Sequence, residues 1–300
     1  MKVRACIYVN SKWSIPYIKS LEYSLIELEV TDKIDIKLPP IYSDKSYDLS
    51  FFVLGRKSIN IDGWNDKCKV LLQIEQLINC RMNGGYHIGN AFDFILEPFH
   101  ANMFLRGTEN VYYCPIGYAP TWERPKKKVK KDIDVLFWGG LNPTRVAQLK
   151  YLKDNGIKVH YSNELYGDEL YNYISRSKII IWLTHSSQID YAQMHCLPAQ
   201  AQGEFVMVQG LITFLKNPKK GTYTRLNSVV DYGLFEPDVS FVVFADQKDL
   251  LEKVKYYLKN EYERKEFAKK AYDHLISIPY SDSLKEVICN FSNHIIEQKK

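Results

Sequence analysis

The chain alternates short apolar runs with amphipathic stretches, and turn-forming residues separate them. In the first third, five apolar runs predict strands, at 3–9, 49–54, 70–74, 92–96 and 111–114. Residues 14–30 place Ile18, Leu21, Leu25 and Leu28 on one helical face, which predicts a helix. Strands that alternate with helices indicate a parallel sheet with helices on its faces.

The second half repeats the alternation more regularly. A strand at 133–138 ends at a Gly-Gly pair, and Asn142 then suits the N-cap of a helix with Pro143 at its first position. Further strands are predicted at 157–161, 179–183, 205–208 and 241–244. Further helices are predicted at 167–176, 191–202, 247–259, 261–275 and 282–297. This pattern predicts a doubly wound α/β domain.

A change of composition at 119–131 predicts the domain boundary, because this segment combines two prolines with five lysines and little apolar periodicity. A length of 300 residues suits two domains. We predict an N-terminal domain, a basic linker, a nucleotide-binding domain and a final helix, at 1–120, 121–131, 132–280 and 281–300. A solvated linker is the simpler interpretation of the lysines, and binding to phosphates or anionic lipid is the alternative.

The composition narrows the functional class. A net charge of +5 from 40 basic and 35 acidic residues allows an anionic ligand without predicting nucleic-acid binding. Six cysteines without a Cys-x-x-Cys pair are typical of reduced thiols in the cytosol. The N-terminus predicts a strand rather than a signal peptide, and no window reaches the ~20 apolar residues of a spanning helix. We expect a cytoplasmic protein, and peripheral membrane contact stays open.

The turn after the strand at 133–138 is the most informative segment. Gly139 and Gly140 let the backbone approach a ligand, and the helix that begins after Asn142 favours an anion at its amino end. Arg145, in the first helical turn, predicts a bidentate grip on a diphosphate. The alternative is a turn that only packs a helix against the sheet, since the segment matches no complete phosphate-binding motif.

Polar residues follow the next predicted elements. His185 comes directly after a buried run, at the carboxyl end of a strand where open α/β sheets bind ligands. His195 lies on the helix that follows, and Gln200, Gln202 and Gln209 add neutral polar groups. For His185, donation to a phosphate and a structural role at the sheet edge both remain open. Together these residues predict a polar, uncharged crevice suited to a nucleotide.

Two carboxylates of the first domain are candidate catalytic groups. Glu75 and Glu97 each end a predicted strand, so either is a candidate general base for an acceptor hydroxyl. Helix capping or a salt bridge is the alternative for each. Asp132 and Asp134 form an Asp-x-Asp triplet, but the triplet opens a strand, so we predict no metal site and no cofactor.

Five segments in order resemble one enzyme family: VLLQIEQL; FDFILEPFHANMFL with VYYCPIGYAP; IDVLFWGGLNPTRVAQLKYLKDNGIKVHY; YGDELYNYISRSKIIIWLTH; and VSFVVFADQKDLLEKVKYYLKNEYERKEFAKKAY. They resemble the GT-B glycosyltransferases, within the family-1-like group that includes the CgeB type of spore maturation protein. The resemblance implies two Rossmann-like domains facing a cleft, with the C-terminal helix crossing back to the N-terminal domain. It implies donor binding by Gly139, Gly140, Arg145 and His185, and acceptor binding by the first domain. It also implies catalysis without a metal, because helix dipoles and basic side chains stabilise the leaving diphosphate.

The chain departs from this family on the helix at 191–202. The family usually carries a Glu there, with an Arg nearby, whereas this sequence offers Ala192 or Pro198 for the Glu and His195 for the Arg. The departure implies an unusual donor, a site rebuilt with His195 and glutamines, or lost activity.

The combined prediction is a hexosyltransferase-like enzyme that moves a sugar from a nucleotide sugar to a hydroxyl. A glycan or a lipid-linked sugar is the expected acceptor, and a modified base in DNA is the alternative. A catalytically inactive module of the same fold, which binds a nucleotide sugar or a protein, is the rival hypothesis.

Overall fold

The structure is a computed structural model that describes residues 2–9, 14–37, 46–54, 64–74, 91–99, 110–125, 129–184, 190–191, 193–210, 212–216, 223–227, 230–231 and 234–298. The chain divides into two compact units. The first comprises Met1–Thr121 with Ile278–Lys300, and the second comprises Trp122–Ser277. The sequence placed the corresponding boundaries at 121–131 and 280–281.

The first unit is built on a parallel sheet. Its strands are β1 (Ala5–Val9), β2 (Ile34–Lys37), β3 (Leu49–Leu54), β4 (Lys69–Gln73), β5 (Phe94–Glu97) and β6 (Val111–Tyr113). They lie in the order β2-β1-β3-β4-β5-β6, and every neighbouring pair is parallel. All six residues of β3 are buried, as expected for a central strand covered on both faces.

Two helices cover one part of this sheet. Helix α1 (Ile15–Glu27) packs against the last helix of the chain (Tyr280–Glu297), which belongs to the first unit. Phe291 of that last helix packs edge-on against Phe94 and Phe51, with ring centroids 4.9 and 5.9 Å apart. The predicted helix at 282–297 is therefore present, and it begins two residues earlier.

The chain passes close to itself at Gly117. The N–H of Tyr118 donates to the carbonyl of Ile278 (2.9 Å), and the N–H of Tyr280 donates to the carbonyl of Tyr118 (2.7 Å). A Cβ atom at Gly117 would lie 2.4 Å from the Ile278 carbonyl oxygen. Only glycine fits this backbone-to-backbone contact.

The second unit contains β7 (Ile133–Trp138), β8 (Val159–Ser162), β9 (Ser177–Trp182), β10 (Asp190–Tyr191), β11 (Val206–Gln209), β12 (Ile212–Lys216), β13 (Tyr223–Asn227), β14 (Val230–Asp231) and β15 (Val242–Phe244). Five of these strands form a parallel sheet in the order β15-β11-β9-β7-β8, which we call the second sheet. Strands β12 and β13 form an antiparallel hairpin, and β10 pairs with β14.

Helices lie on both faces of the second sheet. They are α2 (Pro143–Asp154), α3 (Gly167–Arg176), α4 (Gln193–Gln200), α5 (Gln247–Lys259) and α6 (Glu261–Ile276). The last helix of the chain, Tyr280–Glu297, is α7 and belongs to the first unit. Phe137 and Ile181 point to the face where Leu149 of α2 and Leu250 of α5 complete a core. Alternate strand residues point to the opposite face, where α3 and α4 contact β9.

The α/β fold class predicted from the sequence is confirmed. The predicted helices at 167–176 and 247–259 match α3 and α5 residue for residue. The edge strand β2, the short strand β10 and the small strands between 210 and 240 were not predicted from the sequence. No helix of the described residues is long and apolar enough to cross a membrane.

Candidate functional site

The strand order of the second sheet locates the candidate site. The chain enters the sheet at β7, adds β8 on one side, and then crosses to add β9 on the other side. Loops leaving β7 and β9 therefore diverge to opposite faces, and this switch point leaves a crevice at the carboxyl ends of the two strands. We call the residues around it (138–142, 182–184 and 209) the carboxyl edge of the second sheet.

A glycine turn forms one side of the carboxyl edge. Gly139 has a φ of +124°, a conformation that L side chains rarely adopt, and its N–H donates to the Ser162 carbonyl (3.0 Å). A Cβ atom at Gly139 would lie 3.9 Å from Cε1 of His195, whereas one at Gly140 would meet nothing within 4 Å. The structure thus brings Gly139 and His195 together and leaves space beside Gly140.

Helix α2 begins at this turn as the sequence predicted. Asn142 is the N-cap, and its side-chain oxygen accepts from the N–H of Arg145 at 2.8 Å. Pro143, which has no N–H to satisfy, occupies the first helical position. The amino end of α2 therefore lies at the carboxyl edge, where its dipole favours an anion.

The side chain of Arg145 turns into the protein and is only 5% exposed. Its Nε donates to the carbonyls of Leu183 (3.0 Å) and Thr184 (3.2 Å), and its Nη2 also donates to Leu183. Its Nη1 donates to the carbonyl of Gly140 at 2.6 Å. These contacts use the guanidinium to join the loops after β7 and β9, a geometry different from the predicted grip on a diphosphate.

A second side chain ties β11 to the same edge. The side-chain oxygen of Gln209 accepts from both the N–H and the hydroxyl of Thr184, each at 3.1 Å. From the sequence, Gln209 was expected only as a neutral polar group near the crevice. One feature of the sequence indicated this bridging role: Gln209 is a polar residue that directly ends a buried apolar strand.

Aromatic side chains line a small opening beside the glycine turn. Trp138 ends β7, Trp182 ends β9, and His195 of α4 lies beside them with its ring centroid 6.5 Å from that of Trp182. The indole N–H of Trp182 is buried and has no hydrogen-bond partner among the described residues. Sequence reasoning missed both tryptophans, although each ends one of two adjacent strands with an apolar run.

The remaining predicted donor residues are placed differently. Gln200 is buried, and its side-chain amide donates to the Ser240 carbonyl, so it holds a neighbouring segment. His185 lies outside the described residues, and so does Glu75. Glu97 ends β5 in the first unit, and its side chain is fully buried.

The opposite ends of the same strands carry ion pairs. Asp132 accepts from Nε and Nη2 of Arg176 (2.9 and 2.7 Å), and this contact lowers the pKa of Asp132 to about 2. Asp134 pairs with Lys178 at 2.7 Å. Both carboxylates of the Asp-x-Asp triplet are thus paired with cations. Among the described residues, no three His, Cys, Asp or Glu side chains converge in a way that could hold a metal ion.

Comparison with protein families assigns residues 123–278, more than half of the chain, to the glycosyl transferase-like family. The chain belongs to this glycosyltransferase family. The matched residues are nearly those of the second unit, which carries the carboxyl edge. The predicted enzyme class, a glycosyltransferase, is confirmed.

Solved structures of glycosyltransferases share the fold. An alpha-glucosyltransferase in complex with UDP and a 13-mer DNA containing an HMU base has a TM-score of 0.62 at 11% identity, covering 97% of this chain and 100% of that chain. HepE from Anabaena, in complex with UDP and glucose, has a TM-score of 0.58 at 8% identity, covering 97% and 99%. A glycosyltransferase from Rickettsia africae has a TM-score of 0.54 at 10% identity, covering 97% and 98%. These likenesses confirm the GT-B fold, and no curated protein sequence matches the chain.

Proposed function

We propose that this glycosyltransferase uses a uridine diphosphate sugar, bound at the carboxyl edge of the second sheet, and transfers the sugar to a hydroxyl of a glycan or a lipid-linked sugar without a metal. The observation that carries the proposal is the switch point itself. There a glycine turn at positive φ, the amino end of α2 and an indole N–H with no partner among the described residues meet between two adjacent strands. Two structural neighbours, an alpha-glucosyltransferase and HepE, are in complex with UDP, which supports this choice of nucleotide.

The distribution of charge supports a diphosphate in the second unit. Residues 122–277 contain 24 Lys and Arg against 19 Asp and Glu, whereas the rest of the chain contains 16 of each. The whole net charge of +5 therefore belongs to the second unit. A first unit without net charge suits an uncharged glycan better than duplex DNA, since DNA contacts require a footprint of Lys and Arg.

The donor contacts follow from the geometry of the edge. Gly139 and Gly140 give a diphosphate close access to the backbone, and Asn142 fixes the start of α2. His195 is exposed beside Gly139, where it can donate to a phosphate oxygen, and His185 is proposed for the same role from the sequence. The N–H of Trp182 offers a donor to an oxygen of the nucleotide.

The reaction then needs little beyond positioning and charge stabilisation. The acceptor oxygen forms a bond to the anomeric carbon, the bond from that carbon to the diphosphate oxygen breaks, and UDP leaves with the bonding electron pair. The amino end of α2 and the donors around it stabilise the negative charge of the leaving group. Glu75 is the proposed base that takes the hydroxyl proton, and Glu97, with its buried carboxyl, is the second candidate.

Thermal unfolding against a panel of nucleoside diphosphates tests the donor site. A ligand at ~100 times its dissociation constant adds about 2.7 kcal/mol to the free energy of unfolding. We expect UDP and one UDP-sugar to raise the midpoint more than ADP, GDP or CDP. A flat response to the whole panel would remove UDP as the donor and favour an inactive module that binds a protein.

Sugar release from the stabilising UDP-sugar tests the reaction and the acceptor. We expect transfer to a glycan or lipid-linked sugar in the presence of EDTA, and loss of transfer in Glu75→Gln with UDP binding retained. Loss of activity in EDTA with recovery on added Mn²⁺ would contradict the metal-independent mechanism. Transfer only to hydroxymethylated duplex DNA, with strong salt sensitivity, would establish DNA as the acceptor instead.

A further inference from the structure

We propose that Arg145 is a positioning residue, which acts on the donor through the two loops of the switch point and makes no direct phosphate contact. The proposal rests on the donor site proposed above. Three nitrogens of the guanidinium donate to backbone carbonyls, and these carbonyls belong to the segments that follow two different strands.

The two sets of carbonyls come from segments that are far apart in sequence. Gly140 follows β7, whereas Leu183 and Thr184 follow β9, 38 and 39 residues after Arg145. Backbone hydrogen bonds pair β7 with β9 only up to Leu136 and Ile180, so they do not join the loops that follow. The planar guanidinium of Arg145 therefore joins the loops after β7 and β9 where no backbone hydrogen bonds between these strands do so.

Packing fixes the guanidinium in this orientation. The ring of Phe137 lies 5.2 Å from the guanidinium carbon, and the side chain is 95% buried. The backbone N–H of Arg145 is held by Asn142, so the same residue anchors the first turn of α2. The glycine turn, the start of α2 and the exit of β9 therefore share one anchor.

A lysine cannot reproduce this arrangement. Its single ammonium concentrates three donors at one point, whereas the carbonyls of Gly140 and Leu183 are reached by different nitrogens of the guanidinium. A direct phosphate ligand would behave differently, because a lysine keeps the positive charge that attracts a diphosphate. Arg145→Lys consequently separates positioning from direct binding.

The experiment compares Arg145→Lys and Arg145→Ala with Arg176→Lys, a matched change in an ion pair at the other end of the strands. Two measurements are made on each folded protein: amide hydrogen exchange without ligand, and titration with UDP and with uridine. Arg145→Lys is the milder variant, and it keeps the test available if Arg145→Ala does not fold.

We expect exchange at 138–142 and 180–184 to quicken in both Arg145 variants and to stay unchanged in Arg176→Lys. We expect UDP and uridine to lose affinity together, with lysine as poor as alanine. Unchanged exchange at these segments in Arg145→Lys would overturn the proposal. So would a loss of UDP affinity in Arg145→Ala that spares uridine and is restored by lysine, because that result identifies a direct phosphate ligand. Absence of UDP binding by the wild-type protein would contradict the proposed donor, while the exchange result would still decide whether Arg145 braces the loops.

Discussion

The two ends of the second sheet use charge in opposite ways. At the amino ends of β7 and β9, carboxylates and cations pair directly, as in Asp132 with Arg176 and Asp134 with Lys178. At the carboxyl ends, Arg145 bonds neutral carbonyls, and the polar groups described beside it include the Gln209 amide, the Thr184 hydroxyl, the His195 imidazole and the Trp182 indole. At the amino ends, opposite charges pair with each other within the protein. At the carboxyl ends, the guanidinium of Arg145 instead holds two loops together.

The two ends of the second sheet therefore have different roles. The amino ends stabilise the fold, and the carboxyl edge serves the proposed function. Partly exposed ion pairs at the amino ends contribute modestly and are screened by salt. The carboxyl edge instead keeps a turn conformation that glycine adopts readily and other residues do not, together with a buried N–H without a partner among the described residues, which costs stability. Such costs are expected where a ligand is bound.

Substitution of the first glycine should produce the largest effect in this comparison. Gly139→Ala places a side chain at a φ of +124°, which costs about 1–3 kcal/mol of unfolding free energy. Because the turn shapes the donor edge, we expect UDP affinity to fall as well. Chemical denaturation and UDP titration measure the two effects.

Gly140→Ala is the matched control for stability. A Cβ atom there meets nothing within 4 Å, so we expect an unfolding free energy close to wild type. If this variant nevertheless loses UDP affinity, the added methyl group reports close approach of the ligand to Gly140. Equal stability loss in both variants would contradict the special role of the Gly139 backbone.

The second-largest effect is expected when the hydrogen bonds between Gln209 of β11 and Thr184 are removed. Gln209→Met removes the oxygen that accepts two hydrogen bonds from Thr184 and leaves a buried N–H unsatisfied, at a cost of about 1–3 kcal/mol. Thr184→Val removes only the hydroxyl donor and should cost less. Urea unfolding measures both, and a larger loss in Thr184→Val than in Gln209→Met would show that the bridge is not the source of the effect.

The sequence predicted those parts of the fold that depend on local patterns. Period-3.6 apolar spacing defined α3 and α5, and the Asn142-Pro143 pair defined the start of α2 because capping is a local interaction. The edge strand β2 escaped prediction because three of its four residues are only half-buried, so it has no apolar run. Its existence depends on pairing with β1, a contact between distant residues.

The location of the candidate site could be predicted from the sequence, but its side-chain contacts could be predicted only in part. A glycine turn after the first strand of a doubly wound domain located the edge, because topology sets which strand ends meet. The inward turn of Arg145 was not predictable, since it depends on carbonyls nearly 40 residues further along the chain. The same holds for Gln209 and for the meeting of His195 with Gly139.

The smallest effect is expected at the amino edge, from Asp132→Asn. The pKa of Asp132 is lowered to about 2 by its hydrogen bonds to Arg176, so the ionised form stabilises the folded state at neutral pH. That contribution is complete above the ordinary pKa of an aspartate and disappears as the pH falls through about 4 to 2. Because the carboxyl is partly exposed to solvent, we expect a modest difference in urea midpoint between wild type and variant at neutral pH, which shrinks in acid. UDP affinity should be unchanged, since the ion pair lies at the far ends of the strands. A fall in UDP affinity comparable to that of Gly139→Ala would show that the two edges are energetically coupled, and the division of labour between them would have to be abandoned.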